Sequence, residues 1–419
     1  MRKCNRIGLA GIVLFCCIFL FSGCQEAEKE PVTITMIHAW GGMEADHEAM
    51  RDIYKSFQDE NPNIRLQLIS MPTRDEMLRK VEDMILVGDM PDIITFSGMG
   101  QNNAFDFMEK NDMALDLMPY LEEDADFMDS VSEANLQYWV TEENQLFTVA
   151  DVLSLSGGYW YNEDIFQQAG ITEIPKTWNE FLSMCETLRV WSEKQNTGIK
   201  PHQVSAEGYL YFMDHMLAEY NEDAQEVIVN DRKDAVKETL EVTIGQLKDI
   251  YSYSASESAD YSYRDETSLF NEGKVAIYVN GVWGAPMISE DINAKYALLP
   301  SASGTSMSCE SACIGYVLGK SGNEEKEDAA VQFIKYILSE KVQTRILQET
   351  EQIPVNPQII LSDFAEEKSR LYQAADLVLS AEKKIDVPDN MWNVTQKTKF
   401  TENILKLLSG ELSIENFKE

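Results

Sequence analysis

The sequence predicts an α/β protein with more than one domain, and three observations carry that reading. Short β-branched runs alternate with stretches of helical period. Loops containing glycine and tryptophan follow several of the runs. The 419-residue chain is long enough for two or three domains, with large cores and a cleft between lobes. Its 35 Lys and Arg against 71 Asp and Glu leave a net charge of −36, which excludes a duplex-binding protein built on a basic face, so no nucleic-acid partner is expected. A hydrophobic fraction of 44% and a mean hydropathy of −0.28 fit a folded chain and not one that crosses a membrane many times.

Residues 1–23 read as an export signal. Arg2, Lys3 and Arg6 form a positive start, and the uncharged run 7–21 is short for a membrane span and ends in Phe21-Ser22-Gly23-Cys24. That ending resembles the bacterial lipobox, with Phe21 where Leu is usual, and the resemblance implies cleavage before Cys24 and acylation of Cys24. Residues 24–31 then form a polar tether. A lipid is the consistent anchor, because a surface this acidic is repelled by anionic headgroups. The expected location is the outer face of the bacterial cell membrane. Beyond Cys24 only Cys185, Cys309 and Cys313 remain, an odd set without CxxC spacing. Reduced structural thiols are expected, with a Cys309–Cys313 pair as the alternative. Four histidines and no zinc spacing leave no metal and no cofactor to expect.

Along the chain, 32–37 alternates as a strand and runs into His38-Ala39-Trp40-Gly41-Gly42, after which 45–59 has helical spacing. Asn61-Pro62-Asn63 punctuates, 64–70 is a second strand, 75–87 is a helix ending at Gly88, and 91–96 is a short buried strand. This alternation argues for a mainly parallel sheet with ligands in loops beyond the carboxyl ends of its strands. Trp40-Gly41-Gly42 and Ser97-Gly98-Met99-Gly100 occupy such loops. A second apolar stretch, 147–155, leads to Gly157-Gly158-Tyr159-Trp160-Tyr161-Asn162 and a helix from Glu163. Thr177 and Glu180 have capping-box spacing at the start of another helix. Residues 231–250 are amphipathic, 251–263 read as a surface loop, 275–279 as a strand, and helical period returns at 329–347 and 395–408.

In this order the motifs resemble the extracellular solute-binding proteins of ABC importers, in the carbohydrate-binding family that includes maltose-binding protein. The pieces are Trp40-Gly41-Gly42, Pro91-Asp92-Ile93-Ile94, Tyr161-Asn162-Glu163-Asp164-Ile165-Phe166, Pro175-Lys176-Thr177-Trp178, Phe270-Asn271-Glu272-Gly273-Lys274 running to Gly281-Val282-Trp283, and Ile353-Pro354-Val355-Asn356-Pro357. The resemblance implies a two-lobe, periplasmic-binding-protein-like α/β fold of class II. The first lobe would hold 32–150 and 314–350, the second 151–313 and 351–419, with the ligand in the cleft between them. It further implies a monomer that captures a sugar or oligosaccharide and delivers it to permease subunits.

A sugar offers apolar C–H faces and a rim of hydroxyls, so its site needs aromatic platforms and side chains that take several hydrogen bonds. Trp283, between Gly281 and Gly284 after a strand, matches a family position that stacks on sugar. Trp40 and Gly41 lie in the first strand-to-helix loop, a ligand position by topology. Ser97 is expected to bond hydroxyls beside Gly98 and Gly100. Asp151 is either a cleft carboxylate at the first crossing between lobes or a solvated charge, and Glu310, in the loop 301–311, has the same two readings. Of Trp160 and Tyr161 one must face inward. Tyr209 and Tyr211 fall where the family places an aromatic wall. His38 reads as a satisfied strand-end histidine, Trp178 as a packing staple and Trp392 as packing for the final helix. A glycoside hydrolase is the rival class, but no motif pairs two carboxylates across one bond, and GxSxG and HExxH are absent. A polyamine or peptide binder on the same fold is the closer alternative.

Overall fold

The protein is described as a computed structural model over residues 30–97, 103–220, 237–254, 263–312, 314–366, 369–385 and 394–417. The expected signal, Cys24, Cys313, Trp392 and the side chain of Ser97 lie outside the described residues.

β1 (Val32–His38) is followed by α1 (Ala45–Glu60), β2 (Ile64–Ser70), α2 (Arg74–Leu86) and β3 (Ile93–Ser97), close to the order and bounds read from the sequence. In α1 the buried Met50, Ile53, Tyr54 and Phe57 recur at the spacing of one helix face, which is why the segment is helical and which side it buries. Four short helices, α3 (Asn103–Lys110), α4 (Met118–Glu123), α5 (Ala125–Ser130) and α6 (Glu133–Trp139), lead to β4 (Thr148–Val149), β5 (Val152–Ser156) and β6 (Gly158–Asn162). Then come α7 (Glu163–Ala169), α8 (Trp178–Gln195), β7 (Lys200–His202), α9 (Ala206–Tyr220), α10 (Lys237–Tyr251), α11 (Tyr263–Asn271) and β8 (Val275–Tyr278). The capping box of α8 forms as its spacing predicts: the Thr177 hydroxyl accepts from Glu180 N–H while the Glu180 carboxylate accepts from Thr177 N–H.

A 3-10 turn (Val282–Met287) precedes β9 (Ala294–Leu298), β10 (Met307–Ser311) and β11 (Gly315–Leu318). The helical period at 329–347 resolves into two helices, α12 (Glu324–Leu338) and α13 (Glu340–Thr350), because Ser339 takes an extended conformation, ends the first and caps the second through Val342 N–H. β12 (Ile353–Pro354), α14 (Ser369–Leu379), β13 (Lys383–Ile385), α15 (Val394–Ser409) and α16 (Ile414–Phe417) complete the described chain.

Among the described residues the strands form three sheets. The first has the order β2-β1-β3-β11-β4, and it is mixed where the sequence predicts a mainly parallel one: β1, β2 and β3 run parallel, but β11 is antiparallel to β3 and to β4. β11 arrives from far along the chain without a βαβ crossover, so nothing forces it parallel. Its return is fastened by α12. Lys326 Nζ lies 3.2 Å from the buried Asp92, whose carboxylate also accepts from Thr35 N–H at 2.7 Å and from its hydroxyl at 3.0 Å. Phe333 of α12 packs edge-on against Phe57 of α1 at 5.2 Å in the same core. Each such buried aromatic contributes about 1.5–3 kcal/mol.

The sheet β7-β8-β6-β9 carries the second core, with Phe166, Trp178, Phe181 and Phe212 among its residues. Trp178 is buried there as expected. The third sheet, β12-β5-β10-β13, begins where the chain leaves the first sheet and shares a core with β6 and β8; in it Ile353 faces Leu153 and Pro354 faces Val152. Gln343 of α13, fully buried, locks this crossing: its amide N–H groups donate to Asp151 O and Ile337 O, both at 3.0 Å, and its oxygen accepts from Val355 N–H and Asn356 N–H. Cys185 is a buried free thiol whose pKa burial pushes up, consistent with a structural role; Cys309 is buried in β10.

Candidate ligand-binding cleft

A cleft of about 990 Å³ lies between the lobes. One wall comes from the loop after β1 and the starts of α1 and α2, with Trp40, Glu44, His47 and Arg74. The floor is the crossing strands, with Asp151, Ser154 and Tyr316. The facing wall comes from α9, α11 and the 3-10 turn, with Glu207, Tyr211, Asn271 and Trp283. Among the described residues seven carboxylates line it against two guanidiniums, Arg74 and Arg370, so the cleft is acidic. A space of this size with aromatic walls and a polar rim suits a small or oligomeric polar solute.

The Trp40 loop is held from below. Arg51 of α1 donates to the carbonyls of Trp40 and Gly42, His38 Nδ1 accepts from Trp40 N–H at 3.1 Å, and the His47 ring meets the indole edge-on at 5.0 Å. His38 itself is the satisfied strand-end residue expected: its other nitrogen bonds Ser70 Oγ at 2.9 Å, and burial lowers its pKa to about 4, so it is neutral. Gly41 does not line the cleft. Its N–H bonds Met71 O at 2.8 Å, and a Cβ there would stand 2.5 Å from that oxygen, so the glycine serves the approach of two loops.

Trp283 is half-buried in the 3-10 turn after β8, and a clamp on Asn280 and Gly281 sets it there. Trp160 Nε1 donates to Gly281 O at 3.0 Å, Tyr296 donates to Asn280 O at 3.1 Å, and Asn280 Oδ1 accepts from Gly281 N–H. A Cβ on Gly281 would lie 2.3 Å from the Trp283 ring. Only glycine lets the indole fold back over its own chain.

Asp151 lines the floor, buried, and accepts a 2.7 Å hydrogen bond from Tyr316, whose hydroxyl also meets that of Tyr54 at 3.0 Å. Burial raises its pKa to about 6 against the opposing effect of the Tyr316 bond.

Trp160, Tyr161, Tyr209 and Glu310 lie elsewhere. Trp160 and Tyr161 both pack inward, Tyr161 stacked on Phe166 at 4.6 Å, and neither lines the cleft. Tyr209 is fully buried in the second core against Phe212 and Tyr251; Tyr211 holds the wall instead. Glu310 lies off the cleft in β10, 3.8 Å from Lys384. Ser97 ends β3 opposite Gly315. Glu207, Arg74 and Arg370 were not singled out from the sequence. A signal for α9 existed: Tyr209, Phe212, Met213, Met216 and Leu217 repeat at core spacing, which leaves Glu207, Tyr211 and Asp214 on a different face.

Residues 41–344 match the model of the family described as bacterial extracellular solute-binding protein. Among curated proteins, the chain is 26% identical over 204 residues to the "Multiple sugar-binding protein" of Streptococcus mutans, covering 46% of this chain and 43% of that one. It is 27% identical over 190 residues to the "Putative ABC transporter periplasmic-binding protein YcjN" of Escherichia coli, covering 44% and 41%. The chain thus spans less than half the length of either relative. Its fold is similar to that of a Streptococcus pneumoniae solute-binding protein solved with the blood group A-trisaccharide, at TM-score 0.75, 18% identity and coverage of 92% and 97%. It is also similar to a chitin oligosaccharide binding protein, at TM-score 0.76, 17% identity and coverage of 92% and 96%. With two lobes, a cleft between them and a family match spanning most of its length, this chain belongs to the bacterial extracellular solute-binding protein family.

Proposed function

We propose that this protein captures a carbohydrate in the cleft between its lobes and delivers it, unchanged, to the permease of an ABC importer. The observation that carries the reading is the pairing of Trp40 on one wall with Trp283 on the other, each on a loop fastened by hydrogen bonds to its neighbours. Rigid indoles offer a sugar ring a flat apolar surface at little entropic cost, while the carboxylates, Asn271 and Arg74 take its hydroxyls. The acidic lining disfavours phosphate or sulfate. The relatives' names, one of a sugar-binding protein and one of an ABC transporter component, point the same way. Lobe limits at 150/151, 313/314 and 350/351, a monomeric state, and an acyl anchor on Cys24 that holds the protein outside the cell membrane complete the proposal. No described helix is long and apolar enough to cross a membrane.

The test is calorimetry of residues 25–419 against saccharides, polyamines and peptides, with the ligand recovered and analysed afterwards. Saturable binding of a saccharide recovered intact is the expected result. Binding of a polyamine or peptide alone, or recovery of cleaved sugar with turnover, overturns the reading.

A further inference from the structure

Four side chains are linked in a row that joins the first wall of the cleft to its floor. The Trp40 ring lines the cleft while it packs against the first core. Its indole N–H donates to the hydroxyl of Tyr54, a residue of α1 that is fully buried and does not line the cleft. The Tyr54 hydroxyl meets that of Tyr316 in β11 at 3.0 Å, and Tyr316 donates at 2.7 Å to Asp151, where β4 gives way to β5.

The two ends of the row fix the direction of every proton in it. An indole N–H can only donate, and an ionised carboxylate can only accept. Tyr54 therefore accepts from Trp40 and gives its own proton to Tyr316, which gives its own to Asp151. Both phenols keep their protons, because burial, and after it the Asp151 charge, pushes their pKa values well up. Bonds in such a chain polarise one another, by roughly 10–30% each, so the charge on Asp151 tightens the hold on the indole at the far end.

Burial, opposed by the Tyr316 bond, gives Asp151 a pKa of about 6, so the carboxylate is charged above that pH. Gln343 of α13 bonds its backbone carbonyl, and Glu349, Glu351 and Arg370 share its cavity. At the other end His47 meets the Trp40 ring edge-on at 5.0 Å, with Glu44 3.7 Å from its Nδ1, and Arg51 holds the Trp40 carbonyl. His38, edge-on to Tyr54 at 5.4 Å, is neutral above about pH 4. His47 is thus a second titratable neighbour of the indole, and the test has to separate it from Asp151.

We propose that Tyr54 and Tyr316 are positioning residues for the sugar platform: their hydroxyls carry the charge of Asp151 to the Trp40 indole and hold it at one tilt against the first wall. The role rests on carbohydrate binding in the cleft. It adds that the face offered to the sugar and the point where the chain leaves the first sheet are set together.

The test follows the indole N–H resonance of Trp40 by NMR without ligand, assigned with Trp40→Phe, in the wild type, Tyr54→Phe, Tyr316→Phe and Asp151→Asn. The wild-type resonance should move in one step with a midpoint near the Asp151 value of about 6. That step should vanish in the three variants. Calorimetry with raffinose, chitotriose and maltotriose as probes gives the second readout. Tyr54→Phe, whose ring lies outside the cleft, should weaken the sugar that binds by about threefold or more at neutral pH. Melting temperatures identify a variant that fails to fold, and the comparison of wild type with Asp151→Asn stands without either phenylalanine. No step in the wild type, or a step that survives in Asp151→Asn or Tyr316→Phe and so belongs to His47, overturns the proposal. A lost step with unchanged affinity in Tyr54→Phe overturns the positioning role and leaves carbohydrate binding standing. Failure of all three sugars to bind removes the carbohydrate reading and the platform role with it, whatever the resonance does.

Discussion

Tyr316 donates a 2.7 Å hydrogen bond to the Asp151 carboxylate, joining two residues 165 apart in sequence on the floor of the cleft. Asp151 stands where β4 gives way to β5, and Tyr316 lies in β11, so the bond ties two crossings of the chain. The carboxyl is buried and its pKa is raised to about 6 from the ordinary 3.8. A raised carboxyl pKa means the folded state holds a proton that the unfolded state has lost. The Asp151 contribution therefore declines as pH rises from about 4 to about 6 and stays lost above. The full difference is of order 3 kcal/mol. Asp151→Asn keeps an acceptor for Tyr316 and should raise stability toward urea more at pH 7.5 than at pH 4. A wild-type minus variant difference that is flat with pH would contradict this.

Truncating Trp283 removes the second-lobe platform without opening a core, since the side chain is half-buried. Trp283→Ala should raise the dissociation constant for the bound sugar at least tenfold, about 1.4 kcal/mol, with a nearly unchanged melting temperature. Gly281→Ala should weaken binding with Trp283 still present, because the new Cβ meets the ring at 2.3 Å. Titrations of both variants against the same sugar check the pair.

Gln343 uses both its donors and its acceptor on buried backbone groups around the crossing. Gln343→Ala leaves those groups unpaired and should cost about 3 kcal/mol or more of unfolding free energy. Equilibrium denaturation measures this, and a loss below about 1 kcal/mol would show that water replaces the side chain.

Lobes joined by a few extended crossings rotate as bodies when a handful of backbone dihedrals change. A ligand that touches both walls gains its full set of contacts only in the closed form and shifts the population toward closure. Small-angle scattering should give a smaller radius of gyration with saturating sugar, and tryptophan emission should shift over the same concentrations. Equal radii with a ligand that demonstrably binds would reject closure.

Replacing Cys24 by Ala should move the protein from the membrane fraction to the medium or to the unprocessed precursor. A mature-sized, membrane-bound Cys24→Ala protein would refute the acyl anchor.

What the sequence by itself determined was the local order. The spacing of Met50, Ile53, Tyr54 and Phe57 specifies α1, the alternation at 64–70 specifies β2, and Thr177 with Glu180 specifies the start of α8. Periodicity and capping act over a few residues, so they can be read from a window of that length. The motif order through Trp283 likewise made the family legible. What only the tertiary structure decided was which residues meet. Trp40 and Trp283 line one cleft, whereas Tyr161 and Tyr209, equally aromatic and close to the same motifs, are taken by the second core. Pairing of Asp151 with Tyr316 needs the chain to leave the first sheet and return to it. No local rule encodes such contacts, because their energy comes from packing segments over a hundred residues apart, and the face a side chain presents is settled only when its partner element arrives.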